Sequence, residues 1–156
     1  MGRFIGFLIT HGIALALGVA IGIYTLPILT APPSPDADTL AAMADAAIFE
    51  APIAEDLPGN DLLHWGRGTI SITPTQIIHE GELAPGPDYR VYLVPEFVQH
   101  EDDFERVKTA SLEVGPVNTF GGFVLDLPAG TNAAAFTTVL VWCEAFGEFI
   151  AAALYR

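Results

Sequence analysis

The stretch Val139-Leu140-Val141-Trp142-Cys143-Glu144-Ala145-Phe146, near the C-terminus, is the most strand-like run of the sequence and contains its only cysteine. Alternate side chains of a β-strand point to opposite faces of the sheet. One face of this stretch is wholly apolar and carries the thiol: Val139, Val141, Cys143 and Ala145. The other face comprises Leu140, Trp142 and Glu144. We therefore predict that Cys143 points into a hydrophobic core.

The single cysteine limits the chemistry of the chain. It excludes an intramolecular disulfide, a redox-active pair of thiols and any multi-cysteine zinc or iron–sulfur site within one chain. Cys143 is then either a small apolar core residue, as free cysteines often are, or the one redox-capable group of the protein. A buried thiol, an intermolecular disulfide and one ligand of a mixed metal site all stay open at this point.

Short strand patterns surround this stretch from Leu62 onward. Apolar alternation or β-rich composition predicts strands at residues 68–73, 75–79, 89–94, 107–114, 120–127, 135–145 and 149–154. They recur about every ten residues, without long helices between them, which is typical of antiparallel sandwiches and barrels. We predict an all-β fold, an antiparallel β-sandwich, over residues 62–156.

The N-terminus carries a long apolar run from Phe4 to Leu26. As a helix its roughly 23 residues would extend about 35 Å, enough to cross the hydrocarbon core of a bilayer. The run is longer than the apolar part of a signal peptide, and Leu29-Thr30-Ala31 before two prolines is a poor cleavage site. We predict an uncleaved signal anchor, a single transmembrane helix, over residues 1–30. Arg3 on the short side places the N-terminus in the cytoplasm and the C-terminal domain in the periplasm.

Residues 31–61 are predicted to be a linker rich in proline, alanine and aspartate. Its proline-rich start is a semi-rigid spacer. A short helix is predicted over residues 36–47, capped by Asp36 or Asp38, and a loop over residues 50–60, which contain two prolines and a glycine.

Charge is distributed unevenly along the chain. All 19 acidic residues lie beyond residue 31, together with five of the six basic ones, and the formal net charge is −13. So acidic a surface repels phosphate backbones, which argues against nucleic-acid binding. It would suit solubility, or docking of a protein redox partner that has a basic surface.

No metal site and no conventional catalytic motif is predicted. His64, His79 and His100 could join Cys143 in a copper or haem site, but their spacing indicates neither cofactor. A cupredoxin needs a His or Met ligand just after its cysteine, and none follows Cys143. Hydrolase, metalloprotease and nucleotide-binding motifs are absent from the sequence, which disfavours a conventional enzyme.

Four sequence elements together resemble the DM-thirteen domain, an electron-transfer module also found in Skeletor-type proteins and beside DOMON domains. They are His64-x-x-x-Gly68, Gly86-Pro87-Asp88, Leu127-Pro128 and Val141-Trp142-Cys143-x-x-Phe146. The resemblance covers about Leu62 to Tyr155. It implies an all-β extracytoplasmic domain with a redox or electron-transfer role through Cys143. Because His64 falls in the family pattern, it is the candidate second ligand or proton partner.

Two functions therefore compete. The first is a membrane-anchored redox module that uses the Cys143 thiol through a sulfenate, a mixed disulfide or a metal or haem. The alternative is a non-catalytic adhesion or interaction scaffold in which Cys143 only fills the core.

Overall fold

The structure, a computed structural model, describes residues 2–156 and consists of a long N-terminal helix followed by a β-sandwich. The helices are α1 (Gly2–Thr30), α2 (Ala37–Ala44) and α3 (Glu101–Val107). The strands are β1 (Phe49–Pro52), β2 (Gly66–Ile72), β3 (Gln76–Leu83), β4 (Tyr89–Val94), β5 (Leu112–Val117), β6 (Phe123–Asp126), β7 (Thr138–Cys143) and β8 (Glu148–Leu154).

The strands form two antiparallel four-stranded sheets, ordered β1-β2-β3-β6 and β5-β4-β7-β8. The main hydrophobic core lies between the sheets and takes residues from both. The predicted all-β sandwich behind one long apolar helix is confirmed.

Strand β7 is buried on both of its faces. Val139, Val141 and Cys143 point into the core between the sheets, while Leu140 and Trp142 belong to a second apolar cluster on the outer side. The prediction that Cys143 points into the core is confirmed. The prediction for Ala145 is wrong, because the strand ends at Cys143 and Ala145 is exposed in the turn that follows.

Helix α3 covers the outer face of this sheet. Its Phe104 is fully buried, with ring centroids 5.0 Å from Tyr92 and 4.8 Å from Trp142. One aromatic residue among charged neighbours is a weak sequence signal for such a cover. This cover explains why β7 is apolar from Val139 to Cys143, as expected of a strand buried on both faces.

Two proline-containing segments were predicted wrongly. Glu50 to Pro52, predicted as part of a loop, belong to β1, which pairs with β2. The strand predicted over residues 107–114 begins instead at Leu112 and continues through Gly115-Pro116 to Val117 as β5. Both strands are at sheet edges, where the missing N–H of proline costs no ladder hydrogen bond. The predicted cap of α2 is confirmed, since the Thr39 backbone N–H donates to Asp36 Oδ1 at 2.9 Å.

Helix α1 is long and apolar enough to cross a membrane. No residue of α1 is buried. A signal sequence near an N-terminus can pass the same test of length and composition. The structure therefore shows an apolar helix of membrane-spanning length.

Gly68 holds a tight crossing between β2 and β3. It faces Gly81 across the strand pair. Its φ is 113°, a value that residues with a Cβ rarely adopt. A Cβ at this position would overlap the carbonyl oxygen of Glu80 and lie 2.7 Å from the Gly81 Cα. Only glycine therefore fits at position 68.

We predict that Gly68→Ala lowers the free energy of unfolding by about 2–4 kcal/mol, from backbone strain together with overpacking. The matched control is Gly115→Ala, since a Cβ at Gly115 would meet only Leu125 Cδ2 at 3.9 Å. Denaturant unfolding of the full chain in detergent measures both. Equal stability of the two variants would contradict the assigned backbone conformation at Gly68.

Candidate functional site

The Cys143 thiol lies at one end of the sandwich, where β7 meets the loop between β3 and β4. Cys143 pairs with Tyr89, the first residue of β4. Its side chain is 3% exposed, and its Sγ donates a hydrogen bond to the Pro87 carbonyl oxygen at 3.1 Å. The thiol is therefore fixed by the backbone of the Gly86-Pro87-Asp88 segment.

The same segment is held from a second side. The Glu144 backbone N–H donates to the Asp88 carbonyl oxygen at 3.0 Å, and Asp88 adopts a positive φ of 50°. A Cβ at Gly86 would lie 2.8 Å from Cζ of Tyr89, so the loop needs glycine there. Two of the four elements of the family resemblance, Gly-Pro-Asp and Trp-Cys-x-x-Phe, thus meet in space.

A cavity of about 300 Å³ adjoins the thiol. Its walls come from both parts of the protein: α1 contributes Ala20, Ile23 and Tyr24, and the sandwich contributes residues that include Cys143, His64 and Phe146. The lining is almost entirely apolar. The structure therefore brings the two predicted site residues, Cys143 and His64, into the walls of one cavity, of which α1 forms a further wall.

His64 is oriented by Asp61, which the sequence analysis missed. Asp61 Oδ1 accepts from the backbone N–H groups of Leu63, at 2.6 Å, and of His64, at 2.8 Å. Oδ2 of Asp61 lies 3.1 Å from Nδ1 of the imidazole. With the ring proton on Nδ1, Nε2 is the proton acceptor. The hydrogen bond from Leu63, with a smaller contribution from His64, lowers the pKa of Asp61, so this carboxylate stays ionised.

The cavity favours neutral groups. Burial raises the pKa of the Cys143 thiol, because the thiolate would be poorly solvated. Burial also raises the pKa of Tyr89, and the neighbouring Cys143 adds to this effect. Cys143 is therefore a thiol at neutral pH, and any reaction at its sulfur requires a group that accepts the proton.

The other two histidines of the sandwich chain lie elsewhere. His79 is fully buried, and its Nε2 lies 3.1 Å from the Arg67 carbonyl oxygen; burial lowers its pKa, which keeps it neutral. His100 flanks α3, with Nε2 3.5 Å from an oxygen of Asp103. Across residues 2–156, no group of three or more His, Cys, Asp or Glu side chains is arranged to hold a metal ion.

A polar cluster covers the outer side of the same strand end. Glu144 accepts hydrogen bonds from the Tyr92 hydroxyl and from Lys108 Nζ, the latter at 2.9 Å. Lys108 Nζ also lies 5.3 Å from the Trp142 ring centroid. Burial alone would raise the pKa of Glu144, but these two hydrogen bonds lower it overall. This cluster fixes the turn after Cys143 from the side opposite the cavity.

The geometry defines a β-sandwich domain in which one buried thiol and one oriented imidazole line the same cavity. The family whose model matches the chain, over residues 60–155, is described as Electron transfer DM13. The chain belongs to this family, which confirms the resemblance found in the sequence. No curated protein matches the chain, and no solved structure does. The match begins after β1, so α1, α2 and β1 lie outside it.

We predict that small apolar thiol reagents reach Cys143 in the folded protein, whereas a bulky polar maleimide reacts only after denaturation. Because the pKa of the thiol is raised and the thiolate is the nucleophile, labelling should stay slow up to the ordinary value of 9.0 and accelerate above it. Mass spectrometry of the full chain in detergent follows both reactions. Equal protection from both reagents in the folded state would show that the cavity does not open to the thiol.

Proposed function

We propose that this protein is a membrane-anchored redox protein whose reactive group is the Cys143 thiol. One observation carries the proposal: Cys143 and His64 line one apolar cavity next to α1. Membership of the electron-transfer family supports the redox role. Helix α1 is the anchor, with the N-terminus in the cytoplasm and the acidic domain outside, because Arg3 precedes the apolar run and all acidic residues follow it.

A lone thiol limits which reaction can be completed. Without a second cysteine in the chain, two electrons can leave the sulfur if an oxygen atom arrives, as in the reduction of a hydroperoxide. The sulfur attacks the outer peroxide oxygen, an S–O bond forms and the O–O bond breaks. The products are a sulfenic acid on Cys143 and an alcohol, or water from hydrogen peroxide.

The thiol returns by exchange with external thiols. One thiol attacks the sulfenic acid, which releases water and forms a mixed disulfide; a second thiol attacks that disulfide and restores Cys143. Two thiols are thereby oxidised to one disulfide. The strongly acidic domain suits a reductant protein with a basic docking surface.

His64 is proposed to accept the Cys143 proton as the sulfur attacks, and to return it to the oxygen that leaves as an alcohol or as water. Burial keeps the sulfur protonated, so the attack needs a base within the cavity. Asp61 is a positioning residue, because it holds Nδ1 and leaves Nε2 as the acceptor. In this proposal a carboxylate orients an imidazole, and the imidazole deprotonates a thiol, which is the usual way in which a cysteine nucleophile is activated.

We predict that hydrogen peroxide converts Cys143 to a sulfenic acid that dimedone traps, and that added thiol reverses the oxidation. His64→Gln should slow trapping at neutral pH by at least about tenfold, as expected for loss of a general base, with a smaller effect above the thiol pKa. Mass spectrometry of the full chain in detergent measures both rates.

The matched control is His100→Gln, a histidine beside an aspartate that lies away from the cavity; it should leave the rate unchanged. Cys143→Ser should abolish trapping. A rate that is the same in His64→Gln and the parent protein would remove His64 from the mechanism. No reversible oxidation at all would overturn the redox function.

A second function has its own support, a non-catalytic scaffold in which Cys143 is a core residue. The thiol belongs to the main apolar core and is hydrogen-bonded to the Pro87 carbonyl oxygen. If it reacts only in denaturant and forms no sulfenic acid when folded, this function is favoured.

A further inference from the structure

The sandwich exposes large apolar side chains next to the cavity. Leu63 and Phe146 line the cavity and are 55% and 57% exposed, and Leu62, the chain neighbour of Leu63, is 95% exposed. We call these three residues the apolar rim. Outside α1, the described residues expose only two other large hydrophobic side chains, Ile48 and Leu154. Exposed apolar surface is thus concentrated around the mouth of the Cys143 cavity.

The rim is level with the end of the apolar helix. Ala20, Ile23 and Tyr24 of α1 line the same cavity as Leu63 and Phe146. Since a helix rises about 1.5 Å per residue, Ala20 lies about 9 Å before Leu26, the end of the apolar run. A bilayer that surrounds this run therefore reaches the rim.

We propose that the apolar rim inserts into the outer leaflet of the membrane, so that the Cys143 cavity opens to the lipid phase and takes a lipid hydroperoxide as its oxidant. This proposal rests on the proposed redox function and names its substrate class. The bilayer is the surface that the rim contacts, because residues of α1 and of the rim line the same cavity.

The cavity suits part of an acyl chain. Its volume of about 300 Å³ is at the lower end of ligand pockets and its lining is largely apolar, so it would admit a chain segment and exclude a whole lipid. The lipid hydroperoxide delivers its outer oxygen to the Cys143 sulfur as the O–O bond breaks. The sulfur becomes a sulfenic acid, the lipid leaves as an alcohol, and external thiols restore Cys143 as described above.

Charge limits the depth of insertion. Asp61, which is exposed and ionised, immediately precedes Leu62 in the chain. Placing this carboxylate in the hydrocarbon core would be costly, so we expect the rim to insert only as far as the membrane interface. Anionic lipids should weaken it, because the domain is strongly acidic.

The rim position is tested with the full chain in zwitterionic lipid nanodiscs. Leu63→Trp and Phe146→Trp should be quenched by brominated lipids well beyond the signal of the native tryptophans. The matched control is Leu154→Trp, at a similarly exposed residue (48%). Cys143 pairs with Glu148 at the other end of β8, which places Leu154 about 20 Å from the rim. It should show no added quenching.

The substrate class is tested by the oxidation rates of Cys143 with a phospholipid hydroperoxide and with hydrogen peroxide in the same nanodiscs. We expect the Leu63→Ser/Phe146→Ser variant to lower the ratio of the lipid rate to the aqueous rate by about tenfold, whereas Leu154→Ser leaves it unchanged. An unaltered ratio overturns the proposal.

These experiments distinguish failure of the membrane-facing cavity from failure of the proposed redox function. If both rim tryptophans are unquenched, or quenched no more than Leu154→Trp, the membrane-facing cavity is wrong even when hydrogen peroxide still oxidises Cys143. If neither peroxide oxidises Cys143, the proposed function fails, and the lipid substrate with it. If α1 leaves the membrane on alkaline washing, the anchor is wrong.

Discussion

The burial of β7 on both faces is the constraint on which the rest of the structure depends. Every residue of Thr138–Cys143 is buried, and the strand pairs with β4 on one side and β8 on the other. One face fills the core between the sheets, so β1, β2, β3 and β6 must cover it. The other face needs Phe104 of α3 over Trp142. Large truncations in such a strand cost several kcal/mol, because neither face can relax into solvent.

The thiol inherits its properties from this position. Since it closes the core-facing row of β7, its sulfur is poorly solvated and its pKa is raised. Since it is also the last residue of the strand, it reaches the loop at Pro87 and a cavity at the sandwich end. The same residue is therefore a core residue by packing and a candidate reactive group by access. The two competing functions differ only in whether a reactant enters the cavity.

Local patterns predicted much of this architecture. Alternation located most strands and the inward face of Cys143, and Asp36 marked the start of α2. Local patterns did not predict contacts between residues distant in sequence. Ala20 and Tyr24 of α1 form a wall of the cavity, and Phe104 covers β7. Proline within an edge strand made the segment resemble a loop in the sequence, as in β1. Asp61 was missed although its spacing from His64 was visible, because an Asp three residues before a histidine is common in turns.

The most direct test is whether α1 forms one wall of the Cys143 cavity in a bilayer. With one native cysteine, Ala20→Cys gives a chain with two thiols that a short bifunctional thiol reagent can bridge. Gly12→Cys, two turns further from the cavity along the same apolar helix, is the control. Intramolecular cross-linking in nanodiscs should be efficient for Ala20→Cys and negligible for Gly12→Cys. Equal yields, or none for Ala20→Cys while both thiols react with a monofunctional reagent, would contradict a cavity formed between α1 and the sandwich.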